Sequence, residues 1–409
     1  MSINVISGGI ASPKGFEAAG IEAGIKYKNR KDMAIIYSEK PCVVAGTFTS
    51  NVVKAAPVKW DMEVVEHSEY ARAVIVNTGI ANAGTGKAGM DYCKKTAEKA
   101  AQVLGIPIES VLVGSTGVIG AQLPIERITA GIEKLAAEKK HDDRNGTDAS
   151  KAIMTTDTVN KELAVTIDIA GTLVTIGAMS KGSGMIHPNM CTMLGYVTTD
   201  AVIGKEALTR IVKEDVTDTY NMISVDGDTS TNDTLLVMAN GMAQNPEIKI
   251  GTPEYELFKE AIHYVNETQA KRLAGDGEGA KALVECHVIG AATKQDARTL
   301  AKSVICSSLT KAAIFGHDAN WGRILCALGY SGAKFDPEDM ELYYEAGTDK
   351  MLIYKNGADA GYSEEEATKI LSQSEVRIIA DMHMGNEEAR AWGCDLTYDY
   401  VKINADYRS

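Results

Sequence analysis

No apolar run in this chain of 409 residues approaches the length that spans a bilayer, and its opening, MSINVISGGIASPKGFE, has no basic region followed by an apolar stretch. A membrane partner is therefore not expected, and the cytoplasm is the default compartment. Positive charge is in deficit: 42 Lys and Arg stand against 55 Asp and Glu, a formal net charge of -13. Binding a polyanion needs clustered Lys and Arg, so nucleic acid is excluded as a partner. Small anionic ligands answer to local charge and stay admissible. The seven cysteines, scattered, odd in number and without a C-x-x-C pair, read as reduced and mostly buried thiols. Cys286 and His287 adjoin one another, but neighbours on a strand point to opposite faces, so no shared metal is expected. A low-complexity linker and an internal repeat are also absent.

What is present is an ordinary globular composition, 45% hydrophobic and 24% charged, at a length that suits two or three domains or one large α/β unit. Short β-branched runs alternate with helical patterns: residues 73–76 with 90–104, then 111–113 with 124–135. That alternation predicts an α/β fold. Residues 163–170 and 172–178 meet at Gly171 and predict a β-hairpin. Farther on, Thr252 and Pro253 suit the N-cap and first position of a helix, with an apolar stripe at Tyr255, Phe258, Ile262 and Val265 that ends before Gly275. Ser363 with Glu366 fits a capping box, and residues 396–403 alternate like a strand.

The hairpin leads into KGSGMIHPNMCTML, Lys181 to Leu194. With nothing else considered, this is a turn, because Gly, Ser, Pro and Asn gather in turns for conformational reasons. Its chemistry changes if the peptide bond before Thr192 is cut. A hydroxyl is a poor nucleophile at neutral pH, but a threonine at a new chain terminus has an α-amine of pKa roughly 7.7 to 8.0 beside its own oxygen. Thr192 would then be nucleophile and base together.

Other blocks accompany it. GFEAAGIEAGIKYKNRKDMAII, FTSNVVKAAPV, VNTGIANAGTG (76–86), GSTGVIG (114–120) and MTTDT (154–158) precede it; SVDGDTSTNDT, GDGEGAK, FGHDANWGR and DYVKINADYRS follow. In this order, from Gly15 to the last residue, they resemble the ornithine acetyltransferase family, the glutamate N-acetyltransferases, whose precursors split before the threonine of a closely similar loop.

The resemblance implies a layered α/β sandwich of the self-cleaving ornithine acetyltransferase and aminopeptidase type. It implies autoproteolysis between Cys191 and Thr192 into an α chain, 1–191, and a β chain, 192–409, assembled as a heterotetramer of two of each. Thr192 Oγ would then take acetyl from N2-acetylornithine and pass it to L-glutamate, a ping-pong transfer within cyclic arginine biosynthesis. Thr116 and Gly117 are implied as the oxyanion hole. Thr155, Lys181, Thr192, Glu278, Asn404 and Ser409 are implied as substrate-binding, with Lys181 suited to a carboxylate and Glu278 to an ammonium group. Read singly, Ser-Thr-Gly is a strand-to-loop turn, Lys181 a solvated lysine, Glu278 a surface acid, and Asn404 and Ser409 a disordered end. No cofactor or metal is implied, and acetyl-CoA stays open as a second acetyl donor.

The match departs where Cys191 stands for a usual alanine, Ile80 for asparagine, Gly84 for cysteine, Lys281 for threonine and His317 for arginine. Lys281, three residues from Glu278, is placed to pair with it and so bears on substrate preference. Two motifs are set aside. Gly84-x-Gly86-x-x-Gly89 fits a dinucleotide fingerprint, but residues 77–83 separate it from the strand before, and the next strand ends without an acidic residue. Asp226-Gly-Asp228 with Asp233 lacks the ligand order of a calcium loop and reads as a loop bonded by its own Asx and Thr side chains. Two other functions stay in view: a self-cleaving amidase or aminopeptidase of the same fold with water as acceptor, and an uncleaved protein that binds ornithine derivatives.

Overall fold

The computed structural model describes residues 2–187 and 193–406. They fall into two compact units, Met1–Gly182 with Pro188–Thr217 and Thr229–Gln269, and Ser183–His187 with Asp218–Asp228 and Ala270–Ser409. Each is mixed α/β and built on its own sheet.

The first unit contributes β1 (Asn4–Ile6), β2 (Phe16–Ile21), β3 (Met33–Phe48), β4 (Ala71–Asn77), β5 (Val111–Ser115), β6 (Lys161–Ile169), β7 (Thr172–Lys181) and β8 (Leu194–Thr199). After β9 (Ile223–Ser224), which belongs to the second unit, β10 (Thr234–Ala239) completes the sheet. The strand order is β1-β6-β7-β8-β10-β3-β4-β5, with β2 also paired to β3. Its helices are α1 (Ala56–His67), α2 (Ala88–Leu104), α3 (Ile125–Glu138), α4 (Asp143–Ala152), α5 (Lys205–Asp215) and, through Gln269, α6 (Pro253–Gly275).

Residues 73–76 of β4 and 111–113 of β5 are continuously apolar because both faces are covered. Ala73, Ile75, Val111 and Val113 pack with Ala97 and Ala100 of α2 and with Ile128, Ile132 and Leu135 of α3. Val74, Val76 and Leu112 pack on the other side with Tyr196 and Leu236. The period of two therefore sorts one strand between two cores. In α6, the expected stripe is buried at Tyr255, Phe258, Ile262 and Val265, and Thr252 Oγ accepts the Tyr255 N–H at 3.3 Å.

The predicted hairpin is β6 and β7, paired from Lys161↔Ser180 to Ile169↔Thr172. Ala170 and Gly171 both take positive φ, 51° and 84°, the two-residue turn that suits the right-handed twist of a hairpin. β7 then lies antiparallel to β8, with Lys181 opposite Leu194. The strands entering and leaving the segment 182–193 are thus hydrogen-bonded neighbours.

In the second unit, β9 is joined by β11 (Leu283–Ala291), β12 (Glu341–Ala346), β13 (Asp349–Lys355), β14 (Ala358–Asp359), β15 (Glu375–Asp381) and β16 (Glu387–Cys394), ordered β14-β13-β12-β15-β11-β16-β9. Its further helices are α7 (Lys294–Cys306), α8 (Ser308–Phe315), α9 (Trp321–Gly329), α10 (Glu364–Leu371) and α11 (Tyr398–Ala405). α7 lies on β11 and β16 through Ala297, Leu300, Ala301 and Val304. Ser363 caps α10 as expected, its Oγ accepting the Glu366 N–H at 3.3 Å.

The strand expected at 396–403 is instead α11. Thr397 Oγ accepts the Tyr400 N–H at 3.4 Å and donates to Gly279 O at 2.8 Å, so the residue acts as a helix cap. Tyr398 and Val401 are 84% and 66% exposed. The alternation therefore reflects solvated side chains rather than a buried strand face. Among the described residues no helix is long and apolar enough to cross a membrane. No group of three or more His, Cys, Asp or Glu gathers among them to hold a metal; Cys286 is buried while His287 reaches Glu388 at 3.0 Å.

Candidate active site

β5 ends at Ser115, and the following loop lies against the one after β4. Thr116 N–H donates to Asn77 O at 3.1 Å, Val118 N–H to Gly79 O at 3.1 Å and Ala81 N–H to Val118 O at 3.0 Å. Gly117 takes φ +127°, and a Cβ there would stand 2.3 Å from the Gly79 carbonyl carbon, so backbone would have to move for any other residue. Neighbouring amides are occupied, whereas the Gly117 N–H meets no acceptor among the described residues. Thr116 is buried, and its Oγ accepts from Lys181 Nζ at 3.4 Å. A hydroxyl that accepts from an ammonium group still has its own proton to give. The pair supplies the donor types that stabilise an oxyanion.

Lys181 is the last residue of β7, and beside it lies an acid that the sequence reading did not single out. Asp157 Oδ1 accepts from Lys161 Nζ at 2.7 Å and from the Gly182 N–H at 2.7 Å, while Oδ2 accepts the Thr155 N–H at 3.0 Å. Burial by itself would raise the Asp157 pKa. The charges of Lys181 and Lys161, with these hydrogen bonds, outweigh it and hold the carboxyl at about 2. Thr155 is half-buried, and its carbonyl and that of Met154 each accept from Arg30 Nη2 at 2.7 Å. The first unit thus gathers Thr116, Gly117 and Lys181, and ties Thr155 to the end of β7 through Asp157.

Ser183–His187 belongs to the second unit, where it meets the GDGEG loop. The Glu278 N–H donates to Ser183 O at 3.0 Å, and Ser183 Oγ donates to Asp276 O at 2.6 Å. Glu278 is buried, with Oε2 accepting from Asn404 Nδ2 at 2.7 Å. A Cβ on Gly184 would lie 2.3 Å from that same Oε2, so the glycine is what lets the carboxylate rest on this backbone. Glu278 and Asn404 are brought together as a pair, and Asn404 sits on α11 rather than in a disordered end. Lys281 does not pair with Glu278. The chain turns at Gly279, φ 73°, and the Lys281 ammonium lies 3.7 Å from Asp399 instead.

Asp226 was read as part of a self-bonded loop. It does take the Asp228 N–H at 3.2 Å, but its oxygens also accept the N–H groups of Met185 at 2.6 Å and Ile186 at 2.8 Å. His187 Nδ1 lies 3.1 Å from Ser224 Oγ and 3.5 Å from Cys306 Sγ. Burial, and then the charge of Lys302, push the His187 pKa down to about 4, so its ring is neutral at pH 7. Cys191, Thr192 and Ser409 lie outside the described residues.

Asp157 and Asp226 are therefore the acids holding backbone amides around this segment that motif reading passed over. Asp157 stood inside MTTDT, and Asp226 inside a motif set aside as a calcium loop and read as a loop bonded to itself.

The ArgJ family model matches residues 17–409. The arginine biosynthesis bifunctional protein ArgJ of Caldanaerobacter subterraneus subsp. tengcongensis is 50% identical over 407 residues, covering 100% of both chains. The protein of that name from Bacillus subtilis is 45% identical over 404 residues, covering 99% of this chain and 97% of its own. A crystal structure of arginine biosynthesis bifunctional protein ArgJ from Bacillus halodurans aligns with a TM-score of 0.50 and 45% identity, covering 51% of this chain and 97% of its own.

Proposed function

The chain belongs to the ArgJ family, and from that premise we propose that it is a self-cleaving glutamate N-acetyltransferase. Cleavage falls between Cys191 and Thr192. Thr192 Oγ adds to the Cys191 carbonyl, the C–N bond breaks with the hydroxyl proton passing to the amine, and water splits the resulting ester. This frees the Cys191 carboxylate, the Thr192 hydroxyl and the Thr192 α-amine. In turnover the α-amine takes the proton as Oγ attacks the acetyl carbonyl of N2-acetylornithine, and ornithine leaves with that proton. The amine of L-glutamate then attacks the acetyl ester, giving N-acetylglutamate and restoring Thr192.

The observation that carries this reading is the setting of Lys181. It pairs with Leu194 across adjacent strands and donates to Thr116, beside a Gly117 N–H that no described residue occupies. Thr192 stands two residues before Leu194 in the chain. Thr116 and Gly117 would stabilise the oxyanion of each tetrahedral step, and one such donor is typically worth about 3 kcal/mol. Lys181 suits a substrate carboxylate and Glu278, steadied by Asn404, an ammonium group; Thr155 and Ser409 complete the set. The solved relative supports the cut, because 97% of its chain accounts for only 51% of this one.

The reading brings with it α and β chains assembled as α2β2, a cytoplasmic place of action and no cofactor. Relatives carry the word bifunctional in their names, and acetyl-CoA is the second donor to test, by release of the free CoA thiol with glutamate as acceptor. Intact mass under denaturing conditions tests the core of the proposal. The wild type should give two fragments, one ending at Cys191 and one beginning at Thr192, and Thr192→Ala a single chain without acetyl transfer. A Thr192→Ala protein that transfers acetyl at the wild-type rate would end the reading, and acetate released in place of N-acetylglutamate would turn it to a hydrolase.

A further inference from the structure

The Asp226-Gly-Asp228 segment has a task in the second unit. One carboxylate holds two successive amides, Met185 at 2.6 Å and Ile186 at 2.8 Å, and the Val225 N–H donates to the Ile186 carbonyl at 2.7 Å. Hydrogen bonds to an ionised acceptor are the stronger kind. They are needed here, because Met185 sits at φ +55°, in the left-handed region that a residue with a side chain enters only at a cost. A conformation of this sort persists where its surroundings over-determine it. Burial, and then the charge of Asp226, raise the pKa of the Tyr400 hydroxyl, so the two groups are neighbours, and Tyr400 lies one turn of α11 before Asn404.

Met185 and Ile186 precede Thr192 by seven and six residues. We propose that Asp226 is a positioning residue for self-cleavage: by gripping Met185 and Ile186 it fixes the backbone from which the chain runs on to the Cys191–Thr192 bond. The gain is the one that any restraint toward a reactive geometry gives. This inference rests on the self-cleavage reading. After the cut, the gripped residues belong to the α chain and Thr192 to the β chain, so the restraint no longer acts on the nucleophile. Asp226 is thus expected to matter for maturation and not for turnover.

Cell-free synthesis of wild type, Asp226→Asn and Asp226→Ala, sampled over time by intact mass, reads the cleavage rate, and acetyl transfer is measured per cleaved chain. Asn keeps one acceptor oxygen and Ala none, so the rates should fall in the order wild type, Asn, Ala, with about a 10- to 100-fold loss for Ala. Both kcat and KM per cleaved chain should stay within about twofold of wild type, since Asp226 contacts no reacting atom in this scheme. An Ala variant that cleaves at the wild-type rate overturns the proposal. So does a slow variant whose turnover per cleaved chain falls in proportion, which would mark a residue of the fold at large. Where Ala does not fold, Asn decides by the same two criteria. A wild-type chain that stays whole would remove the self-cleavage reading itself, whatever the variants do.

Discussion

Asp157 and Lys161 form an ion pair with no exposed side-chain surface on either partner, and its energetic coupling can be worked out in advance. The Asp157 carboxyl is held at about 2 against an ordinary 3.8. At about 1.36 kcal/mol per pH unit, this favours the folded anion by roughly 2 to 3 kcal/mol. A depressed carboxyl pKa gives stability that is full above 3.8 and is lost as pH falls through 2, so the pair should be indifferent to pH from 5 to 8. Asp157→Asn leaves Lys161 as a buried charge without its counter-ion, a type of change that costs about 3 to 5 kcal/mol. Lys161→Met is milder, about 1 to 3 kcal/mol, because Asp157 keeps the Thr155 and Gly182 amides as donors. The double variant buries neither charge, so the cycle should show a coupling of about 2 to 3 kcal/mol by urea unfolding at pH 7. Single costs that add to within about 0.5 kcal/mol would refute the reasoning, since additivity means independent sites. The cleaved Asp157→Asn enzyme should also show a raised KM, because Asn keeps one acceptor oxygen and leaves either the Thr155 or the Gly182 amide without its partner.

Gly117→Ala should lower kcat by about 10²- to 10³-fold, the usual cost of losing an oxyanion donor, since its Cβ would force the loop away from Gly79; steady-state acetyl transfer at saturating substrate checks it. Gly184→Ala should push the Glu278 carboxylate off its seat and break its bond to Asn404, raising KM for the amino-acid substrates well before it lowers kcat. His187 titrates lower when folded than when unfolded, because burial and Lys302 disfavour its charged form. The unfolded chain therefore binds the extra proton between about 4 and 6.5, and stability should fall as pH drops through that window. Melting temperature against pH should show a shallower slope there for His187→Gln than for wild type.

Legibility in this chain followed burial. The stripe at Tyr255, Phe258, Ile262 and Val265 announced α6 because those side chains face a core, and Gly171 announced a hairpin because its turn demands positive φ. α11 has no buried residue, so it offered no 3.6-residue stripe, and the cap at Thr397 was its one local sign. In the site, Thr116, Lys181, Glu278 and Asn404 were reached through resemblance, for each is alone indistinguishable from a surface or turn residue. Asp157 and Asp226 escaped for a different reason. Each has backbone amides among its partners, and amides belong to every residue, so no side-chain pattern reports a bond spanning 25, 40 or 41 positions. The segment they hold supplies the missing clue. Gly182 and Gly184 have no side chains with which to pack, and a glycine-rich segment surrenders more conformational freedom on ordering than any other. Order must then come from acceptors elsewhere in the chain, and carboxylates, the strongest acceptors for an N–H, are the groups to seek. A loop such as KGSGM therefore implies acids that hold its backbone amides without catalytic or metal roles, and in this protein Asp157 and Asp226 fit that description.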